Sequence, residues 1–213
     1  MLLVLPGGTG KTHYHHLRRG IDTETTLSTC IGPVLVGYIG YLASTTGNGN
    51  YYTKFNAALI RALEKRYPGS LAADGGSEES VDMLVNWWYI PSEIPLSQCH
   101  LVAPSESTVL AAYDSRGEKD PEGSLACFHE HIEKAESFAT ARLDLSREDI
   151  ETMSLKWRAG PKLKEADVVW LRDRIFEDEE LVRVWGGSKL KEMEDFANKG
   201  NFHMHYEETV EKS

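Results

Sequence analysis

Short apolar runs recur along this chain, and most are followed by a stretch whose apolar residues fall at helical spacing. Met1-Leu2-Leu3-Val4-Leu5, bounded by Pro6-Gly7-Gly8, has the length and flanks of a buried strand. Lys11 to Arg19 reads as a short helix closed by Gly20. Ile21 to Leu27 has the β-branched composition of a strand or strand end; if extended, it sets Asp22 and Glu24 on one face, and Asp22 falls just beyond a strand end. Cys30 to Ala43 is apolar but interrupted by Gly32, Pro33, Gly37 and Gly40, so it is either a broken, closely packed helix or a mobile flap. Thr45 to Asn50 is a loop, and Tyr51 to Tyr67 an amphipathic helix stopped by Pro68-Gly69.

Further along, Ser70 to Gly76 reads as a third short strand ending at Asp74-Gly75. Ser77-Glu78-Glu79-Ser80 then caps a helix from Val81 to Tyr89. Cys99 to Ala103 is the fourth strand, followed by a helix from Thr108 to Ser115 that ends at Arg116-Gly117. Glu118 to Gly123 is a charged loop, a helix runs to about Phe138, Ala141 to Leu145 is the fifth strand, and Ser146 to Asp149 caps another helix. Beyond Trp157 the composition shifts to charged helical segments, 162–180 and 190–199, with a loose acidic tail from His203. Strands alternating with helices predict an open α/β fold: a five-stranded parallel sheet between two helical layers, at 1–155, with a helical C-terminal extension at 156–213.

The 213 residues suffice for one such domain and an appendage. A formal charge of −10 argues against a general nucleic-acid surface, which needs a basic field. Cys30, Cys99 and Cys127 are odd in number and widely spaced, so neither a disulfide framework nor a zinc knuckle is indicated. That pattern fits a reducing, cytoplasmic compartment. No apolar stretch reaches membrane-spanning length, so no membrane partner is expected. Histidines two apart, at 129/131 and 203/205, do not share a helix face, which argues against a metal site there.

The chemistry concentrates in Pro6-Gly7-Gly8-Thr9-Gly10-Lys11-Thr12. Glycines let successive backbone N–H groups turn inward around an anion, and a helix N-terminus adds partial positive charge. Gly7, Gly8, Thr9 and Gly10 would cradle the phosphates of a nucleoside triphosphate, Lys11 would reach the terminal phosphate and Thr12 would bind Mg²⁺. The pattern G-x-x-x-x-G-K-[ST] is incomplete, because Leu5 stands where its first glycine belongs.

This order of parts resembles the P-loop kinases of nucleosides, nucleotides and small metabolites, the family of adenylate, thymidylate and shikimate kinases. Besides the loop, Asp22-Thr23-Glu24 is similar to the D-x-D of shikimate-type kinases, and Asp74-Gly75 to their aspartate-glycine motif. Leu101 to Glu106, with the helix to Arg116-Gly117, looks like the approach to their arginine-bearing lid. The likeness covers about residues 1 to 155; it lacks a clear R-x-x-x-R lid and does not include the extension. It implies an ATP- and Mg²⁺-dependent phosphotransferase acting on a small hydroxyl or phosphate acceptor.

In that reading Asp22 is base or orienter for the acceptor hydroxyl, Asp74 acts on Mg²⁺ through water or on the acceptor, and Arg116, helped by Lys119, closes over the phosphates. Plainer roles stand beside these: a helix-cap acid for Asp22, an Asp-Gly turn for Asp74, a helix-end arginine for Arg116. Cys30 to Asn50 would form much of the acceptor pocket. The tryptophans of the extension predict that it docks on the kinase core, on a partner protein or on a second copy. Two rival functions remain: an NTPase coupled to nucleic acid or assembly, and a non-catalytic kinase-derived binding module.

Overall fold

The computed structural model describes residues 1–5, 20–46, 50–72, 76–86, 89–90, 94, 98–115, 117, 121–136, 142–145 and 160–198. Among these lie five strands and eight helices. The strands are β1 (Leu2–Leu5), β2 (Ile21–Asp22), β3 (Met83–Asn86), β4 (Cys99–Pro104) and β5 (Arg142–Leu145). The helices are α1 (Thr23–Ile31), α2 (Pro33–Thr46), α3 (Asn50–Arg66), α4 (Glu106–Ser115), α5 (Pro121–Glu136), α6 (Glu165–Phe176), α7 (Glu179–Trp185) and α8 (Gly187–Asn198).

Every strand pairing is parallel, in the order β2-β3-β1-β4-β5, as the α/β reading required. β1 lies between β3 and β4, with Leu5 beside Asn86 and Val4 beside Leu101. Its four residues, at most 2% exposed, form an unbroken apolar run because both of its faces are covered. Leu3, Leu5, Leu84 and Val102 make one cluster, with Met1 against it. A second cluster joins Val109 and Tyr113 of α4 to Phe128 of α5.

Two expected elements differ from the reading. Ser70 to Ala72, the described start of the expected third strand, lie in a turn. The Ser70 N–H donates to Tyr67 O, the Ala72 N–H to Gly69 O, and Ser70 Oγ accepts from the Val81 N–H at 2.9 Å, so this segment turns the chain into β3. At Gly76 φ is +63°, and a Cβ there would collide with the Gly69 carbonyl. The third strand is Met83–Asn86, where a helix from Val81 to Tyr89 was expected. A short apolar run reads equally as helix or buried strand, and pairing to β1 on one side and β2 on the other decides for strand.

The second strand is also shorter than its composition suggests. Ile21 and Asp22 pair with Met83 and Leu84, and the chain then turns into α1 at Thr23. Asp22 therefore stands where an acid caps a helix, and Glu24 lies in its first turn, where a carboxylate favours the helix dipole. The glycine-broken segment is two helices separated at Gly32, whose φ is +83°. α2 runs on to Thr46 and α3 starts at Asn50, within the expected loop, and α5 starts at Pro121 inside the expected charged loop. The capped helix expected after residue 145 and the acidic tail lie outside the described residues.

The chain forms two compact units, Met1–Asp22 with Tyr67–Pro161 and Thr23–Arg66 with Lys162–Ser213. One boundary near residue 155 does not describe this division, because α1 to α3 group with the C-terminal helices. Within the helical unit the basic face of α3 meets acids that follow it by more than a hundred residues. Arg61 forks onto Asp178 at 2.8 and 2.7 Å, Lys54 reaches Glu180 at 3.0 Å, and Arg66 reaches Asp167 at 2.9 Å. Asp178 also caps α7, accepting from the Glu180 and Leu181 N–H groups. Phe55 sits edge-on to Phe176 and Trp185, and Trp185 is 4.7 Å from the Tyr51 ring. Trp185 thus packs on α3.

Candidate functional site

β1 delivers the chain to its carboxyl end at Leu5, between Asn86 of β3 and the β4 side of the sheet. Leu5 is fully buried in the apolar cluster, which gives the side chain at the missing-glycine position a packing role. Gly7, Gly8, Thr9, Gly10, Lys11 and Thr12 all lie outside the described residues, as does the helix expected through Arg19.

The chain re-enters at Gly20 under tight steric control. A Cβ on Gly20 would stand 3.0 Å from Leu84 Cγ, and one on Gly160 would stand 2.9 Å from the Gly20 carbonyl oxygen. These contacts fix the approach to β2 and hence to Asp22. Asp22 is level with Leu84, which is level with Leu3. It therefore lies two residues, about 7 Å of strand, short of the level at which β1 ends. The carboxylate has no solvent exposure. Glu24, on the first turn of α1, does not share a strand face with it.

Asp74 and Arg116 lie outside the described residues, with Lys119. The aspartate-glycine likeness depended on Asp74 following the third strand, and it instead precedes β3 in the chain. Gly117, with φ +65°, donates its N–H to Asp114 O at 2.9 Å and closes α4, so a helix does end beside Arg116.

Among the described residues, some not assigned a role from the sequence stand at the carboxyl ends of β3 and β4. Asn86 ends β3 beside Leu5. After β4, Ser105 Oγ lies 3.0 Å from Ser107 Oγ and 2.9 Å from Thr108 Oγ1, and accepts from the Thr108 N–H at the start of α4. A strand placed at 83–86 would have singled out Asn86; the Ser-x-Ser-Thr run before a helix was the available signal for the hydroxyl group. Glu106 and His129, both exposed, approach to 3.3 Å nearby. Among the described residues no three His, Cys, Asp or Glu side chains converge as metal ligands.

Burial alters both described thiols. Cys30, in α1, is pushed up to about 12 by desolvation, against a smaller opposing effect of Arg172. Cys99, at the start of β4, is raised to about 11 by desolvation. Neither is in the thiolate form of a nucleophile at neutral pH. No single helix is long and apolar enough to cross a membrane among the described residues. No protein-family model, curated protein or solved structure matches the chain.

Proposed function

We propose that this chain is an ATP-dependent, Mg²⁺-requiring phosphotransferase of the P-loop kinase type, cytoplasmic, acting on a nucleoside, nucleotide or other small hydroxyl or phosphate acceptor. The observation that carries the reading is topological: the glycine-lysine-threonine sequence follows directly on β1, the middle strand of a parallel sheet. The chain travels from β1 to one edge, returns through β3, and crosses β1 to reach β4 and β5. Open α/β sheets bind ligands outside the carboxyl ends of the strands, where the chain reverses its direction of travel. The residues closing the three middle strands are Leu5, Asn86 and Pro104, none of them anionic, which suits a polyphosphate.

In this reading the loop N–H groups of Gly7 to Gly10 hold the phosphate oxygens, and the Lys11 ammonium neutralises charge on the group in transit. The acceptor oxygen bonds to the terminal phosphorus as the bond to the bridging oxygen breaks, and the acceptor proton passes to a carboxylate. Asp22 is the candidate for that proton, with Arg116 closing on the phosphates. Thr12 would hold Mg²⁺, which would supply charge neutralisation at the phosphates; the chain position of Asp74, before β3, weakens its case as an aid.

A second reading is favoured by one observation. Asp22 is wholly buried at the start of a helix, which is what a capping acid in a non-catalytic, kinase-derived binding module would look like. Incubation with γ-labelled ATP, Mg²⁺ and a panel of nucleosides, nucleotides and small hydroxy acids separates the two, with Lys11→Ala alongside. Label transferred to an acceptor by the parent chain and not by the variant supports the kinase. Label released only as free phosphate makes the chain an NTPase, and no turnover by folded protein leaves the binding module.

A further inference from the structure

Helix α2 is apolar on two sides, and only one of them serves the core of its own unit. Leu35 and Ile39 are 2% and 0% exposed, whereas Val34, Tyr38 and Tyr41 are 46%, 39% and 62% exposed. Those three positions and Gly37 share one helical face. Gly37 and Gly40 add a second oddity. Glycine weakens a helix interior relative to alanine, yet a Cβ at either position would meet nothing within 4 Å. Neither residue has the positive φ that would demand glycine. Among the described residues no packing requires the notch they leave, which stands beside the exposed face of the helix.

We infer that this face of α2 is where a second copy of the chain docks, helix antiparallel to helix about a two-fold axis level with Ile39. Charge is the first argument. With a formal charge of −10, two copies repel over most of their surfaces, and the sequence carries no charged side chain from Thr25 to Thr53. The uncharged face is where two copies meet at least cost. Self-complementarity is the second argument, because a two-fold interface must match itself. Tyr41 and Gly37 stand at equal distances either side of residue 39, so the axis sets each copy's tyrosine over the other's glycine notch. Lys189 lies at the edge, its ammonium 5.9 Å from the Tyr38 ring centre, giving the polar rim usual around an apolar contact. A helix of this length spans about 21 Å, and one such pair covers less than the ~1,600 Å² of a standard interface. The dimer is therefore concentration-dependent. This inference does not depend on phosphoryl transfer.

A lipid surface is the competing occupant. α1 and Pro33–Ala43 together have the apolar length of a broken span, bent by 111°. However, Leu27, Cys30, Ile31, Leu35 and Ile39 are buried, which accounts for most of that apolar character within the protein. Sedimentation of the full chain from micromolar to several hundred micromolar concentration tests the proposal, with Gly37→Leu and Tyr41→Lys alongside. A monomer–dimer equilibrium is expected, weakened about tenfold or more by each substitution. Gly37→Leu should at the same time raise the melting temperature of the monomer, since the space is open and leucine favours helix. A monomer at every concentration, or a dimer indifferent to both substitutions, overturns the inference. So does a monomer that co-sediments with phosphatidylcholine vesicles and loses that binding in Tyr41→Lys.

Discussion

Asp178 carries two duties at once, and removing it should reveal how firmly the C-terminal helices belong to the helical unit. Its carboxylate caps α7 through the Glu180 and Leu181 N–H groups and receives the Arg61 guanidinium in a two-point fork. A lost cap costs about 1 kcal/mol. The fork is charge-assisted and two-pointed, but Arg61 is 32% exposed, so its contribution is set nearer the exposed-pair range, at about 1 kcal/mol. Asp178→Ala should therefore lose about 2 kcal/mol, a fall of roughly 4–8 °C in melting temperature for a chain of this size. Arg61→Ala should lose about 1 kcal/mol, and the double variant no more than Asp178→Ala alone, a coupling of about 1 kcal/mol. Asp178→Asn keeps a good cap and should fall between parent and Asp178→Ala. Urea unfolding followed by helical circular dichroism measures all four. A loss under about 0.5 kcal/mol for Asp178→Ala, or strictly additive single losses, would refute the argument that this fork joins α3 to the extension.

Three further outcomes follow from the same packing. Thr26 is 1% exposed and its Oγ1 finds no hydrogen-bond partner among the described residues, so Thr26→Val, of similar shape, should raise stability by up to about 1 kcal/mol in the same urea assay. Glu180 is held down to about 2 from 4.5 by hydrogen bonds from Arg183 and Lys54. A depressed carboxylate contributes stability above its unfolded value and loses it as pH falls from about 4.5 towards 2, so Glu180→Gln should flatten the acid limb of a stability–pH curve over that window. Cys30 and Cys99, buried and raised to about 12 and 11, should resist thiol reagents at pH 8 until the chain unfolds, which peptide mapping after alkylation reads residue by residue.

What the sequence made legible follows from which physical signal each segment carried. β1 and α3 were readable because an apolar run bounded by glycine and an amphipathic period bounded by Pro68-Gly69 each admit one structure. β3 was not, because Met83-Leu84-Val85 has no period of its own and becomes a strand only through pairing with residues about eighty and sixty positions earlier. The same error moved Asp74 to the wrong side of a strand and hid Asn86. Asp22 was placed correctly at a strand end, yet its threonine-rich continuation, which looked extended, is helix α1, whose Thr26, Leu27, Cys30 and Ile31 are buried at helical spacing. The grouping of α1 to α3 with α6 to α8 had no local signal at all, since the ions that join them are more than a hundred residues apart.

The central claim is that the loop after β1 holds a triphosphate. Isothermal titration of a non-hydrolysable ATP analogue into the full chain, with and without Mg²⁺ and with Lys11→Ala in parallel, tests it most directly. The account predicts Mg²⁺-dependent binding to the parent chain, weakened by an order of magnitude or more, about 1.4 kcal/mol, when Lys11 is lost. Absence of binding to folded parent protein, or equal affinity in Lys11→Ala, would contradict it.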